Sequence, residues 1–249
     1  MLAKKIMAEI AKPPTTSVCM ATYNGSKFIQ EQIESIVEQS LQVDQIIIVD
    51  DASVDDTVSI ISAVKDPRIR LIRNKTNRGV IHSFNEAISC ASGEIVFLCD
   101  QDDVWRRDKV ETCIRYFAAN PNKSVVISNA SVIDAMGHEV RNSWFGGEGF
   151  KGGFVRNLVK NRYTGCMMAM RRAEIIDFCP VPASVPMHDM WIGLMNEIYG
   201  QTGYIHEPLM SYRRHSNNAT KETRAPVARM LGWRLRLAWE IGKKWWSRH

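Results

Sequence analysis

The segment Ile95-Val96-Phe97-Leu98-Cys99-Asp100-Gln101-Asp102-Asp103-Val104-Trp105 constrains this chain most. Its apolar run reads as a strand buried on both faces, the kind found inside parallel sheets. The run ends abruptly in three carboxylates. In an open α/β sheet, ligands bind just beyond the carboxyl ends of the strands. Three acids gathered there repel one another unless a cation sits among them. Hard oxygen ligands suit Mg²⁺ or Mn²⁺, and Mg²⁺ is commonly held by one or two carboxylates together with substrate phosphates. The alternative is a solvated acidic turn that caps a helix starting near Asp108, which leaves three acids after a buried strand without a reason.

The preceding residues repeat one rhythm. Apolar strands are expected at Thr15 to Ala21, Gln45 to Val49 and Ile69 to Ile72. Helical periodicity follows each, over about Phe28 to Ser40, Thr57 to Val64 and Val80 to Ala91. Strands alternating with helices at this spacing predict a doubly wound, mostly parallel, Rossmann-like α/β sheet. Polar clusters close the strands at Thr22-Tyr23-Asn24, Asp50-Asp51 and Asp100-Gln101-Asp102-Asp103, so they should converge on one crevice. No G-x-G-x-x-G follows the first strand and no G-x-x-x-x-G-K-[ST] occurs, which disfavours a dinucleotide dehydrogenase and a P-loop enzyme.

Beyond the acidic turn, a helix is expected from Asp108 to Ala119. Strands are expected at Val125 to Ser128, Tyr163 to Met170, Tyr204 to Ile205 and Leu209 to Tyr212. The glycine-rich, aromatic stretch Asn142 to Gly153 reads as a mobile loop over the site. A further helix is expected from Met190 to Tyr199, just after His188-Asp189.

These stretches, in this order, resemble glycosyltransferase family 2 with the GT-A fold. The matching motifs are Met20-Ala21-Thr22-Tyr23-Asn24-Gly25, Ile48-Val49-Asp50-Asp51-Ala52-Ser53, Asn77-Arg78-Gly79, Asp100-Gln101-Asp102-Asp103-Val104-Trp105, His188-Asp189-Met190-Trp191 and Tyr212-Arg213-Arg214-His215. The acidic motif with His188-Asp189 is most similar to a bacterial, rhamnosyltransferase-like branch that builds surface polysaccharide. The resemblance implies that Thr22, Tyr23, Asn24 and Asp51 hold the base and ribose of a UDP- or dTDP-sugar. Arg78 and Gly79 lie near the donor, with Asp100 and Gln101 also at the nucleotide. Asp100 and Asp102 match a D-x-D motif for Mn²⁺ or Mg²⁺, and His215 approaches the metal or diphosphate.

Asp189 matches the catalytic base, with an acceptor carried on a glycan or a lipid. Other branches carry Glu-Asp where His188-Asp189 stands, so His188 is a rival for acid–base work. Asp189 and Asp51 may each be read instead as helix caps, and His215 as a core histidine. From another functional class, a non-catalytic nucleotide-sugar-binding scaffold would share the fold. The processive Q-x-x-R-W motif is absent.

The net charge of +5 is uneven. Residues 224–249 hold seven Lys/Arg against Glu240 alone, and the body, 1–223, is near neutral. That basic segment also carries Trp233, Trp239, Trp245 and Trp246. It reads as an amphipathic helix lying on an anionic membrane surface, or else packed on the body or a partner. Nucleic acid is disfavoured because no recognition motif accompanies it. The six cysteines form no C-x-x-C pair, which suits reduced thiols in a cytoplasmic protein, peripheral at the inner membrane face. Met1 to Lys12 does not read as a signal peptide.

Overall fold

The computed structural model describes residues 13–147, 149–150, 152–216, 218 and 227–246. The expectations for Met1 to Lys12 and for the 223/224 boundary lie outside them.

Four strands pair in parallel in the order β3-β2-β1-β4: β1 (Thr16–Thr22), β2 (Gln45–Asp50), β3 (Ile69–Arg73) and β4 (Ile95–Cys99). Helices α1 (Ile29–Val37), α2 (Thr57–Ala63) and α3 (Val80–Cys90) connect them. The chain steps outward from β1 to β3, then returns past β1 to lay down β4. Right-handed crossovers therefore put α1 and α2 on one face and α3 on the other. The reversal leaves a switch point between β1 and β4, where Thr22 and the acidic turn sit. Every residue of β4 is buried, as its unbroken apolar run requires. Helix α1 buries Ile29, Ile33 and Ile36, the i, i+4, i+7 set of one face.

The other half of the sheet is mixed. Strand β8 (Met168–Arg171) runs antiparallel between β4 and β6 (Val125–Ile133). Strand β9 (Thr202–Arg213) is parallel to β6 and carries the short β5 (Val104–Trp105) on its outer edge. The hairpin strand β7 (Glu139–Arg141) folds back on β6. The helices of this half are α4 (Lys109–Ala119), α5 (Phe154–Val159), α6 (Arg172–Ile175) and α7 (His188–Tyr199).

Two strands run further than the sequence pattern suggests. Strand β6 continues past Ser128 although Ser128, Asn129 and Ser131 are polar, and all three are buried. Their polar atoms are satisfied: Asn129 donates to Ser143 Oγ at 2.9 Å and to the His206 carbonyl at 2.8 Å, and Ser131 meets Ser211 Oγ at 3.1 Å. Strand β9 is one element, not two, because Pro208 falls where the β6–β9 register shifts and no ladder donor is needed. The Asn142 to Gly153 stretch is not a loose cover either. Phe150 is buried and stacks on Tyr204 at 4.5 Å, and Trp144 packs edge-on against Tyr212 at 4.9 Å.

Helix α8 (Val227–Trp246) packs on this body along one ridge, with Leu237 and Ile241 in the core. Ser184 Oγ donates to Glu240 at 2.8 Å, and Arg234 donates to the Val159 carbonyl. Its other face leaves Leu231, Leu235, Trp239 and Trp246 exposed. At 100° per residue these four fall within one apolar stripe, with Arg236 and Lys243 beside it. Among the described residues, no helix is long and apolar enough to cross a membrane.

Candidate active site

Two clefts open along the carboxyl edge of the sheet, separated by Tyr212. The first, of about 340 Å³, lies at the β1/β4 switch point and is lined by Thr22, Tyr23, Asp51, Gly79, Asp100, Gln101 and Asp102, among others. The polar strand ends expected to converge do meet here.

Asp51 is buried and organises one wall. It accepts from Asn74 Nδ2 at 2.8 Å, from the Arg78 N–H at 2.9 Å and from the Gly79 N–H at 2.7 Å. The Asn74–Gly79 loop is thereby tied to the end of β2. Gly79 has φ of 89°, which a side chain would strain, so a glycine is needed where this loop enters α3. Arg78 contributes its backbone; its side chain is exposed and does not line the cleft. Gln101 clamps Tyr23 from both sides, accepting from its N–H at 2.8 Å and donating to its carbonyl at 3.2 Å. Gly25 lies so close that a Cβ there would meet Gln101 Oε1 at 2.3 Å. Thr22 donates to Asp50 at 3.1 Å, and Asn24 holds the Val54 N–H at 3.0 Å from outside the cleft.

The acidic turn splits into two roles. Asp100 and Asp102 line the cleft, whereas Asp103 is fully buried behind it. Burial first, then the neighbouring Asp102 and Asp189 charges, push Asp100 up to about 7. Burial and the charges of Asp102 and Asp100 hold Asp103 well above the usual carboxylate range. His215 Nε2 lies 2.8 Å from Asp102 Oδ2, and Asn218 donates to the same oxygen at 3.2 Å.

Two candidate donor sets for a cation follow. Asp100, Asp103 and Cys166 bring ligand atoms within 4.8 Å of one another. The Cys166 thiol, however, is pushed well above its ordinary pKa by burial and by the Asp103 and Asp100 charges, so it stays protonated. A hard cation fits the oxygen pair Asp100 and Asp102 better, and these are the two that reach the cleft. Among the described residues, the first cleft has three aspartates and no Lys or Arg in its lining. That lining repels a diphosphate unless a cation accompanies it, so the residues present fit a divalent metal.

Asp189 stands in the first turn of α7 and lines the second cleft. Burial raises it to about 6, against hydrogen bonds from the Met190 and Gly165 N–H groups and the Asn161 side chain. The Met190 N–H reaches Oδ1 at 2.6 Å. Asp189 is not the cap of this helix, because the N-cap position falls at Met187 and Asp189 lies within the first turn; its bond to the neighbouring Met190 N–H leaves the general-base reading open. His188 sits in neither cleft lining. It is stacked on Phe84 at 4.1 Å, and burial pushes its pKa down to about 4, so the ring is neutral.

Three further residues shape the site. Arg213, buried at the end of β9, donates its N–H to Asp103 at 3.0 Å and Nε to the Asp102 carbonyl at 2.9 Å, and it pairs with Glu31. It pins the acidic turn to α1, and it lies within a motif already visible in the sequence. Lys109 is buried beside the acids, donating to the Cys166 carbonyl at 2.8 Å with its ammonium 4.1 Å from the Trp105 ring centre. Nothing in its helical surroundings announces a buried cation. Tyr212 lines both clefts.

The second cleft, about 450 Å³, is lined by Trp144, Phe145, Phe150, Tyr163 and Tyr212 together with Arg141, Lys160, Arg162 and Asp189. Asp189 and Tyr212 lie in matched motifs and the aromatics of the Asn142 to Gly153 stretch were expected over the site, whereas Arg141, Lys160, Arg162 and Tyr163 carried no such expectation.

Known proteins show what this chain is similar to. The chain is 25% identical over 244 residues to the teichuronic acid biosynthesis glycosyltransferase TuaG of Bacillus subtilis, covering 94% of this chain and 86% of that one. It is 32% identical over 132 residues to the succinoglycan biosynthesis protein ExoO of Rhizobium meliloti, covering 53% of this chain but 38% of that protein. A structure of S. aureus TarS (residues 1–349) with UDP-GlcNAc superposes with a TM-score of 0.70 at 17% identity, over 91% of this chain and 66% of that one. That likeness establishes the GT-A fold. The family profile for glycosyl transferase family 2 matches residues 17–177, which takes in β1, the acidic turn and β8 but stops short of Asp189. With that match covering well over half of its length, this chain belongs to glycosyl transferase family 2.

Proposed function

We propose that the chain transfers a sugar, with inversion, from a nucleoside diphosphate donor to an acceptor hydroxyl during synthesis of a surface polysaccharide. The observation that carries this reading is a pair of clefts that share Tyr212 as a wall, with Asp100 and Asp102 lining the first and Asp189 the second. Asp189 lines the second cleft and is close enough to Asp100, in the first, to raise its pKa. A donor in the first cleft and an acceptor in the second would meet between them.

In the reaction, the bond from the anomeric carbon to the diphosphate oxygen breaks and its electron pair leaves with the diphosphate. The acceptor oxygen bonds to that carbon from the opposite side, and its proton passes to Asp189. A base positioned this way contributes roughly 10²–10⁴-fold. Its raised pKa brings it closer to working pH, the match that general-base catalysis favours. Asp100 and Asp102 hold Mn²⁺ or Mg²⁺, which when bound neutralises charge on the departing diphosphate. Asp51, Thr22, Tyr23 and the Gly79 backbone shape the pocket for base and ribose. Gln101 orders Tyr23, and Asn24 and Arg78 act through their loops. His215 holds Asp102 in place. His188 is a neutral packing neighbour of Asp189 and takes no proton.

The donor is a UDP- or dTDP-sugar, in keeping with the TarS structure that holds UDP-GlcNAc; a rhamnosyl donor is one member of that set. The acceptor is a glycan, free or lipid-linked, as the names of TuaG and ExoO suggest for those relatives. The exposed Leu231, Leu235, Trp239 and Trp246 stripe of α8, with basic residues beside it, suits peripheral contact with an anionic membrane on the cytoplasmic side.

The test is release of nucleoside diphosphate from a panel of UDP-, dTDP- and GDP-sugars with Mn²⁺, Mg²⁺ or chelator. Metal-dependent hydrolysis of one donor is expected. If no donor is hydrolysed and UDP and dTDP do not bind either, the transferase reading fails and a scaffold role takes its place.

A further inference from the structure

The two clefts differ in sign. Among the described residues, the charged groups lining the first are all acids, whereas the second carries Arg141, Lys160 and Arg162 in its lining, with Asp189 as the single acid. Among the described residues, none of the three cations has a salt-bridge partner. Arg141 rests over the Trp144 ring at 5.3 Å, and Lys160 and Arg162 come from the segment that follows α5. Cations that serve only solubility scatter over convex surface and pair with neighbouring acids. These converge on a concavity, where low-dielectric walls focus their field. They reach it from two separated segments, the β7 hairpin and the loop after α5. The aromatic residues between them offer flat apolar faces of the kind that line small-molecule sites.

We propose that the second cleft takes an acceptor bearing an anionic group, a phosphate or a carboxylate, near the hydroxyl that attacks. This rests on the transferase reading above for the word acceptor, and on the cleft alone for the charge. Arg141 and Arg162 present planar donor forks matched to either anion, and Lys160 adds a point charge. A phosphate could come from a diphosphate-linked lipid carrier, and a carboxylate from a uronic acid unit.

Matched pairs distinguish these sources and test the charge. One pair is an alkyl-diphosphate-linked sugar against the corresponding alkyl glycoside. The other is a glucuronate-containing disaccharide against its methyl ester. Each is titrated into the full chain by calorimetry, alone and with saturating UDP, so that an anion held in the first cleft is competed away. The expected result is at least tenfold tighter binding of the charged member in one pair, preserved with UDP. The combined R141Q, K160Q and R162Q substitution should cut that preference tenfold or more, and the charge-retaining R141K, K160R and R162K set should restore part of it. Equal binding of charged and neutral members in both pairs overturns the proposal. So does a preference that UDP abolishes, or one that survives loss of the three charges. Failure of the transferase reading would appear separately, as no UDP binding and no donor hydrolysis, and the UDP-free titrations would still decide the charge question.

Discussion

The first cleft is built by backbone and the second by side chains. In the first, the ends of parallel strands supply the positions, and Asp51 fixes a whole loop through two backbone N–H groups and one amide. In the second, aromatic and cationic residues from the β7 hairpin, the Asn142–Gly153 stretch and the loop after α5 face one another across open space. A site of the first kind depends on chain topology and tolerates little variation. One of the second kind can change its ligand by exchanging side chains on loops, leaving the sheet untouched. Under the proposed function, the contrast puts donor chemistry on the sheet and acceptor choice on the loops.

The contrast can be broken experimentally, most sharply at Asp189. Asp189→Asn should lower transfer by about 10²–10⁴-fold while UDP binding stays as it was. Turnover at the native rate would remove the carboxylate from the chemistry and leave the two clefts without a functional junction. Asp51→Ala comes next. It would strand three donors in part-buried bonds, which water can partly satisfy, so we expect about 1–2 kcal/mol lower unfolding stability. UDP should also bind at least about tenfold more weakly. Denaturant titration with and without UDP measures both, and an unchanged UDP affinity would show that the loop is not part of the donor cleft.

The pH profile is gentler. Asp189 must be ionised to accept a proton, and its pKa is raised to about 6. The rate at subsaturating acceptor should therefore be flat above that pH and fall about tenfold per unit below it. A break nearer 4 would mean that the acceptor hydroxyl loses its proton elsewhere. Smallest of the four is Gly79→Ala. A positive φ with a side chain costs about 1–2 kcal/mol, so the melting temperature should drop by a few degrees, with a modest loss of UDP affinity. A more stable protein would mean that the backbone there relaxes freely.

Legibility in the sequence follows the same division. Strands β2 and β4 are near-continuous apolar runs, the look of a parallel strand buried on both faces, whereas the edge strand β3 alternates Ile and Leu with arginines. The polar ends of β1, β2 and β4 announced the first cleft. The reading failed where buried polar atoms find partners far along the chain. Asn129 looks like the end of a strand until His206 and Ser143 are beside it. Pro208 looks like a break until the register shift is seen. Lys109 reads as a helix-surface lysine, yet it is enclosed by Trp105, Met210 and the Cys166 carbonyl. Arg141, Lys160 and Arg162 are scattered through unremarkable loops, and only folding puts them around one opening. For α8, the sequence suggested a membrane-facing helix or one packed on the body, and the helix packs on the body through Leu237 and Ile241 while an apolar stripe stays exposed.

Tyr212 makes the division of labour incomplete. One side chain, held on a strand that also carries Arg213, forms wall for both clefts. Trimming it to admit a bulkier acceptor would also widen the donor pocket, and reshaping it for another donor would disturb the acceptor. At this position the two specificities are not separate traits. A lineage or an engineer altering one partner must adjust the other in the same step, or find the change elsewhere on the loops.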